Sequence, residues 1–114
     1  MFTAICHCRH CQKQSGSAFS VNIGVSAELL SIEGDVATFQ DRGESGGVLK
    51  RQFCSNCGSP LFSIGEGAPG VVFVKAGTLD DTSKLSPKME IWTDHQQPWV
   101  KLDLAAVRVA RQPS

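Results

Sequence analysis

Apolar and polar positions along the chain change rhythm after the first dozen residues. Cys8 to Gln14 is short, polar and free of Gly and Pro, and it predicts one or two helical turns ended by Ser15-Gly16. Beyond it the pattern becomes β-like. Ala18 to Val25 alternates in part, and Leu29 to Glu33 and Ala37 to Gln40 read as short strands parted by the turn pair Gly34-Asp35. Arg42 to Gly47 is a polar, glycine-rich loop. Val48 to Phe53 leads into Cys54, Pro60 to Ile64 leads out of Gly58, and a second loop covers Gly65 to Gly70. Val71-Val72-Phe73-Val74 is the most apolar segment and predicts a central strand, because a strand buried on both faces reads as a continuous apolar run. Met89 to Thr93 is a further strand candidate, and Leu102 to Ala110 fits strand or helix. Many short strands with glycine turns predict a mainly β protein with one short helix near the N-terminus.

A length of 114 residues predicts a single domain over 1–114, large enough to bury a modest core without metal. Eleven basic residues balance eleven acidic ones, which argues against nucleic acid as a partner. No apolar run reaches the roughly 20 residues of a membrane span. The opening Met1-Phe2-Thr3-Ala4-Ile5-Cys6 lacks the features of a signal peptide, so the expected location is cytoplasmic. Thiols stay reduced in that compartment, and five cysteines is an odd number for a disulfide framework. Both points direct the cysteines toward metal.

Cys54-Ser55-Asn56-Cys57-Gly58 has the form of half a structural zinc site: two thiols three positions apart, followed by a glycine that permits the turn. Cys6-His7-Cys8-Arg9-His10-Cys11 holds three thiols within six residues. Two partitions are open. Cys8 and Cys11 can join Cys54 and Cys57 in a closed four-cysteine site, leaving Cys6 spare. Alternatively Cys6, Cys8 and Cys11 share one ion whose fourth position stays open for substrate, the pattern of catalytic zinc. Thiolate-rich sites favour zinc, with iron as the competitor. For the flanking residues the ordinary readings come first. His7 and His10 read as exposed loop histidines, with zinc ligation or proton transfer the lesser alternative, and His95 is weaker still. Trp92 and Trp99 read as core, and Asp80-Asp81 as a turn.

Cys6-His7-Cys8-Arg9-His10-Cys11 followed by Gln12-Lys13-Gln14-Ser15-Gly16-Ser17-Ala18-Phe19 resembles the glutathione-dependent formaldehyde-activating enzyme family, which also includes centromere protein V. Four later segments agree in order: Arg51 to Leu61, Lys75 to Asp81, Glu90-Ile91-Trp92-Thr93 and Gln97-Pro98-Trp99. The resemblance implies a zinc-containing β fold of the Mss4-like type. It implies that Cys6, Cys8 and Cys11 hold a catalytic zinc and that Cys54 and Cys57 are half of a structural site. Family members usually carry an upstream C-x-C-G segment. Only five residues precede Cys6, so an N-terminally shortened domain is expected. The implied activity is a zinc-dependent carbon–sulfur lyase, which joins the thiol glutathione to formaldehyde as S-hydroxymethylglutathione. Arg9, Lys13, Arg42, Lys50 and Arg51 are candidates to meet the glutathione carboxylates. The competing class is a non-catalytic zinc-binding module for a protein or nucleic-acid partner.

Overall fold

The computed structural model describes residues 2–43, 46–104 and 107–112. Among the described residues eight strands form one sheet: β1 Phe2–Cys6, β2 Ser20–Ser26, β3 Val36–Arg42, β4 Val48–Cys54, β5 Pro60–Gly65, β6 Val71–Lys75, β7 Met89–Ile91 and β8 Val107–Arg108. Their spatial order is β3-β4-β5-β6-β2-β1-β7-β8. One α-helix, α1, spans Arg9–Ser15. The protein is therefore mainly β with a short N-terminal helix, and the arrangement fits the Mss4-like fold.

The apolar run Val71–Val74 lies in β6, fourth of the eight strands, so its central placement follows from its composition. β1 to β6 pair antiparallel, whereas β7 runs parallel to both β1 and β8. The parallel β1–β7 pairing matters most for function. It sets Cys6 opposite Ile91 and Ile5 opposite Glu90, residues more than eighty positions apart in the chain.

One expectation needs correction, and two segments gain detail. Leu29 to Glu33 is not a strand. A single 3-10 turn, Ala27–Leu29, is followed by irregular chain. Leu29 and Ile32 are exposed there, so no neighbouring strand rewards pairing. Phe2–Cys6, for which the sequence pattern predicts no element, is a strand paired on both sides. Within Leu102 to Ala110, Val107–Arg108 forms a short edge strand, and residues 105–106 lie outside the described residues. Among the described residues no helix is long and apolar enough to cross a membrane.

Candidate metal and thiol site

The end of β1 and the start of α1 build the site. Cys6 is the last residue of β1, and Cys8 is the N-cap of α1 with extended backbone. The Cys8 sulfur accepts the Cys11 backbone N–H at 3.2 Å. A sulfur in this position satisfies one of the helix's unpaired donors, as a serine or aspartate usually does. Cys11 then lies one turn along, on the same face. Gly16 ends the helix at φ 65, the left-handed conformation that glycine adopts without a Cβ penalty.

These constraints bring the Cys6, Cys8 and Cys11 sulfurs within 4.8 Å of one another, all three buried. Tetrahedral zinc with bonds of about 2.3 Å separates its sulfur ligands by about 3.8 Å, so the group fits such an ion. The thiols also compete for charge. Hydrogen bonds to Cys11 and Cys8, with burial, push Cys6 far above the ordinary thiol range. The bond to Cys11 pushes Cys8 up to about 11. Hydrogen bonds from Cys6 and Cys8, then one from Ser20 and the charge of Lys75, outweigh burial and hold Cys11 far below that range. Three buried sulfurs held this close suit a soft cation.

His7 is the clearest departure from the sequence reading. It is fully buried rather than an exposed loop residue. Its backbone N–H donates to Ile91 O at 3.1 Å, and its carbonyl accepts from Gln12 Nε2 at 2.6 Å. Its Nε2 meets Glu90 Oε1 at 2.8 Å, and Arg108 Nη1 reaches Glu90 Oε2 at 2.7 Å. Glu90 is 1% exposed. This chain of contacts fixes the residue between two of the three sulfurs. Gln12 completes the support. Its amide donates to His7 O and to His95 O, and its Oε1 accepts from Arg9 and from Gln97. All four of its hydrogen-bonding positions are used.

Trp92 packs against Cys6, Cys8 and Cys11. Its backbone is left-handed at φ 57, alone among the described non-glycine residues. A bulky residue there costs on the order of 1–3 kcal/mol and persists only where its surroundings over-determine it. Here Trp92 N donates to Arg111 O, and Nε1 donates to Gln112 Oε1 at 3.0 Å. The core reading therefore holds for Trp92. It fails for Trp99, which is 70% exposed in the segment between β7 and β8.

The remaining candidates lie elsewhere. Cys54 ends β4 half-buried, and Cys57 is exposed in the turn before β5. Cys57 Sγ meets Ser59 Oγ at 3.1 Å. Hydrogen bonds from Ser59, first its side chain and then its backbone, lower the Cys57 thiol. Among the described residues no third ligand joins this pair, and neither cysteine lies within the Cys6–Cys8–Cys11 group. His10 stands 3.8 Å from Asp41, and His95 lies against the Trp92 ring. Arg9 and Lys13 line a hollow of about 350 Å³ with Gln97 and Trp99. Arg51 is buried on β4. Asp81 accepts from Ser83 N and Oγ, as a turn residue does. Glu90 and Lys75 enter the sequence reading only as ends of segments that match the family, with no role of their own. Each is a charge set in an apolar strand, Met89-Glu90-Ile91 and Val71 to Lys75, and such a break in pattern marks a buried ion.

The sequence profile of the glutathione-dependent formaldehyde-activating enzyme family matches residues 1–95. The chain belongs to that family. It is also similar to a protein of Halomonas elongata named "Putative glutathione-dependent formaldehyde-activating enzyme". The two are 25% identical over 103 residues, covering 86% of this chain and 66% of that relative. The chain thus spans just under two thirds of the relative's length. The family match includes the cysteine group, the His7–Glu90 contact and Trp92, all of which lie within residues 1–95.

Proposed function

We propose that this chain activates a thiol and joins it to formaldehyde, as a carbon–sulfur lyase working in the direction of addition. Glutathione is the thiol that the family name supports, and S-hydroxymethylglutathione is the product. The observation that carries the reading is the buried group of three sulfurs, with two further cysteines held apart from it. Three sulfurs leave a tetrahedral ion one free position, which a closed four-cysteine site would not.

Cys6, Cys8 and Cys11 would hold zinc, which supplies a position where a thiol is bound as its thiolate at neutral pH. The chain's own residues supply the rest. Burial by Trp92 and Ile91 keeps the sulfurs away from bulk water. The Glu90–His7 contact and the Gln12 hydrogen bonds keep the segment between Cys6 and Cys8 from moving. Holding the thiol and aldehyde side by side adds the gain of proximity. The balance is simple: one carbon–sulfur bond forms, the carbonyl π bond breaks, and the thiol proton ends on the former carbonyl oxygen.

The test is zinc content, followed by the rate of S-hydroxymethylglutathione formation by the zinc-loaded chain. The expected result is a rate above the uncatalysed one that Cys11→Ser abolishes. A fully zinc-loaded chain that adds nothing to the uncatalysed rate would refute the proposal.

A further inference from the structure

Cys54 and Cys57 stand outside the three-sulfur group, and among the described residues no third Cys, His, Asp or Glu completes a metal-holding group with them. Two thiols alone leave tetrahedral zinc two ligands short. Their local geometry suits a different chemistry. Cys54 ends β4, and the chain reverses through Ser55, Asn56 and Cys57. Two backbone bonds pin the reversal: Gly58 N donates to Cys54 O and Cys54 N donates to Ser59 O, each at 2.9 Å. Gly58 permits the return at φ 80, in the left-handed region. A chain reversal of this kind keeps its first and fourth Cα atoms within about 7 Å, and a disulfide needs about 4.4–6.8 Å between them. The turn therefore suits a bridge between Cys54 and Cys57 that leaves β4 and β5 where they are.

The pair is also asymmetric, which orders a reaction. Cys57 is exposed, and Ser59 Oγ stands 3.1 Å from its sulfur, where the hydroxyl can donate to a thiolate. Cys54 is half-buried. Cys54, Ser55 and Asn56 border a hollow of about 530 Å³ with Ile32, Leu61 and Phe62, which gives room for a small molecule. Cys6, Cys8 and Cys11 are buried, so an incoming reagent meets Cys57 first.

We infer that Cys54 and Cys57 are a redox-active dithiol that exchanges with small-molecule disulfides and cycles to an intramolecular disulfide, separately from the three-sulfur group. Cys57 sulfur attacks one sulfur of the incoming disulfide. That S–S bond breaks, a mixed disulfide forms on Cys57, and the first thiolate leaves. Cys54 sulfur then attacks Cys57 sulfur, displaces the second thiolate and closes the bridge. The two cysteines are oxidised by two electrons, the small disulfide is reduced to two thiols, and the two cysteine protons pass to those thiols. The inference does not depend on the proposed function.

The test equilibrates the full chain, incubated with zinc, in mixtures of glutathione and glutathione disulfide. Acid quenching, alkylation and peptide mass spectrometry then locate every bridge. The expected product is a Cys54–Cys57 disulfide that forms as glutathione disulfide rises and is lost again in excess glutathione. Cys54→Ser should stall with one glutathione on Cys57, since the resolving thiol is gone. Cys57→Ser, a change at an exposed turn position, should react at least about tenfold more slowly than the parent. Both cysteines remaining reduced across the whole series would overturn the inference, as would Cys57→Ser reacting at the parental rate. Two zinc ions per chain, with Cys54 and Cys57 protected from alkylation, would also overturn it and make the pair a metal site.

Discussion

Replacing Glu90 by glutamine tests whether a buried carboxylate holds the cysteine group in place. Glu90 is 1% exposed, and its two oxygens meet His7 Nε2 at 2.8 Å and Arg108 Nη1 at 2.7 Å. Glutamine keeps the shape and one acceptor. His7 can still donate to it, without the help of the negative charge, at a cost of about 1 kcal/mol. The new amide N–H₂ then faces Arg108, donor against donor. Arg108 is about half exposed, so it can turn to water while its contact with Gln96 persists. The amide left behind is buried and unpaired, which costs about 1–3 kcal/mol. The sum is about 3 kcal/mol, or roughly 10 °C in Tm for a domain of this size. Arg108→Gln should cost about 1–3 kcal/mol as well, because it leaves the buried Glu90 Oε2 without its charged partner. The assay is thermal unfolding followed by circular dichroism, together with zinc affinity from chelator competition. Glu90→Gln should lower both Tm and zinc affinity, since His7 sits between two of the ligands. A Glu90→Gln Tm within about 2 °C of the parent would refute the reasoning.

Other outcomes follow from the same geometry. Cys11→Ser should reduce zinc from about one ion per chain to near none, whereas Cys57→Ser should leave the ion at the three-sulfur group, as elemental analysis would show. Gly16→Ala forces a Cβ into a left-handed cap and should cost about 1 kcal/mol in urea unfolding, and an unchanged midpoint would contradict the role of this cap. Burial opposes ionisation of Asp41, but the Arg51 hydrogen bond, the Arg42 N–H and the nearby charges of Arg51 and His10 outweigh it and hold the carboxyl below the usual range. The stabilisation is therefore present above the unfolded value near pH 4 and is lost as pH falls through the lower folded value. The stability gap between parent and Asp41→Asn should shrink over that interval, and a gap that is constant from pH 6 to 3 would count against it.

Much was legible in the sequence because it is local. The polar stretch from Cys8 to Gln14, closed by Ser15-Gly16, specified α1 to within a residue, since caps and glycine conformations depend on neighbours in the chain. The apolar run in β6 specified its own central place in the sheet. The spacing of Cys6, Cys8 and Cys11 put three sulfurs on one strand end and one helical turn, so their meeting needs little help from the rest of the chain. The spacing of Cys54 and Cys57 likewise fixed a tight pair, although it could not say what else would join them.

Tertiary structure decided everything that depends on strand order. Parallel pairing of β1 with β7 carried Glu90 to His7 across 83 residues, turning a loop histidine into a buried, anchored one. The antiparallel run from β4 to β2 aligned Arg51, Ser63, Lys75 and Asn22 on the face of Cys6, and nothing in their separate segments foretold it. Sequence alone left Trp92 and Trp99 alike, because aromatic residues serve core and surface equally well. The sheet buried the first over the sulfurs and left the second in solvent. Periodicity records which residues face the same way along one strand, but only pairing between strands determines which of them meet.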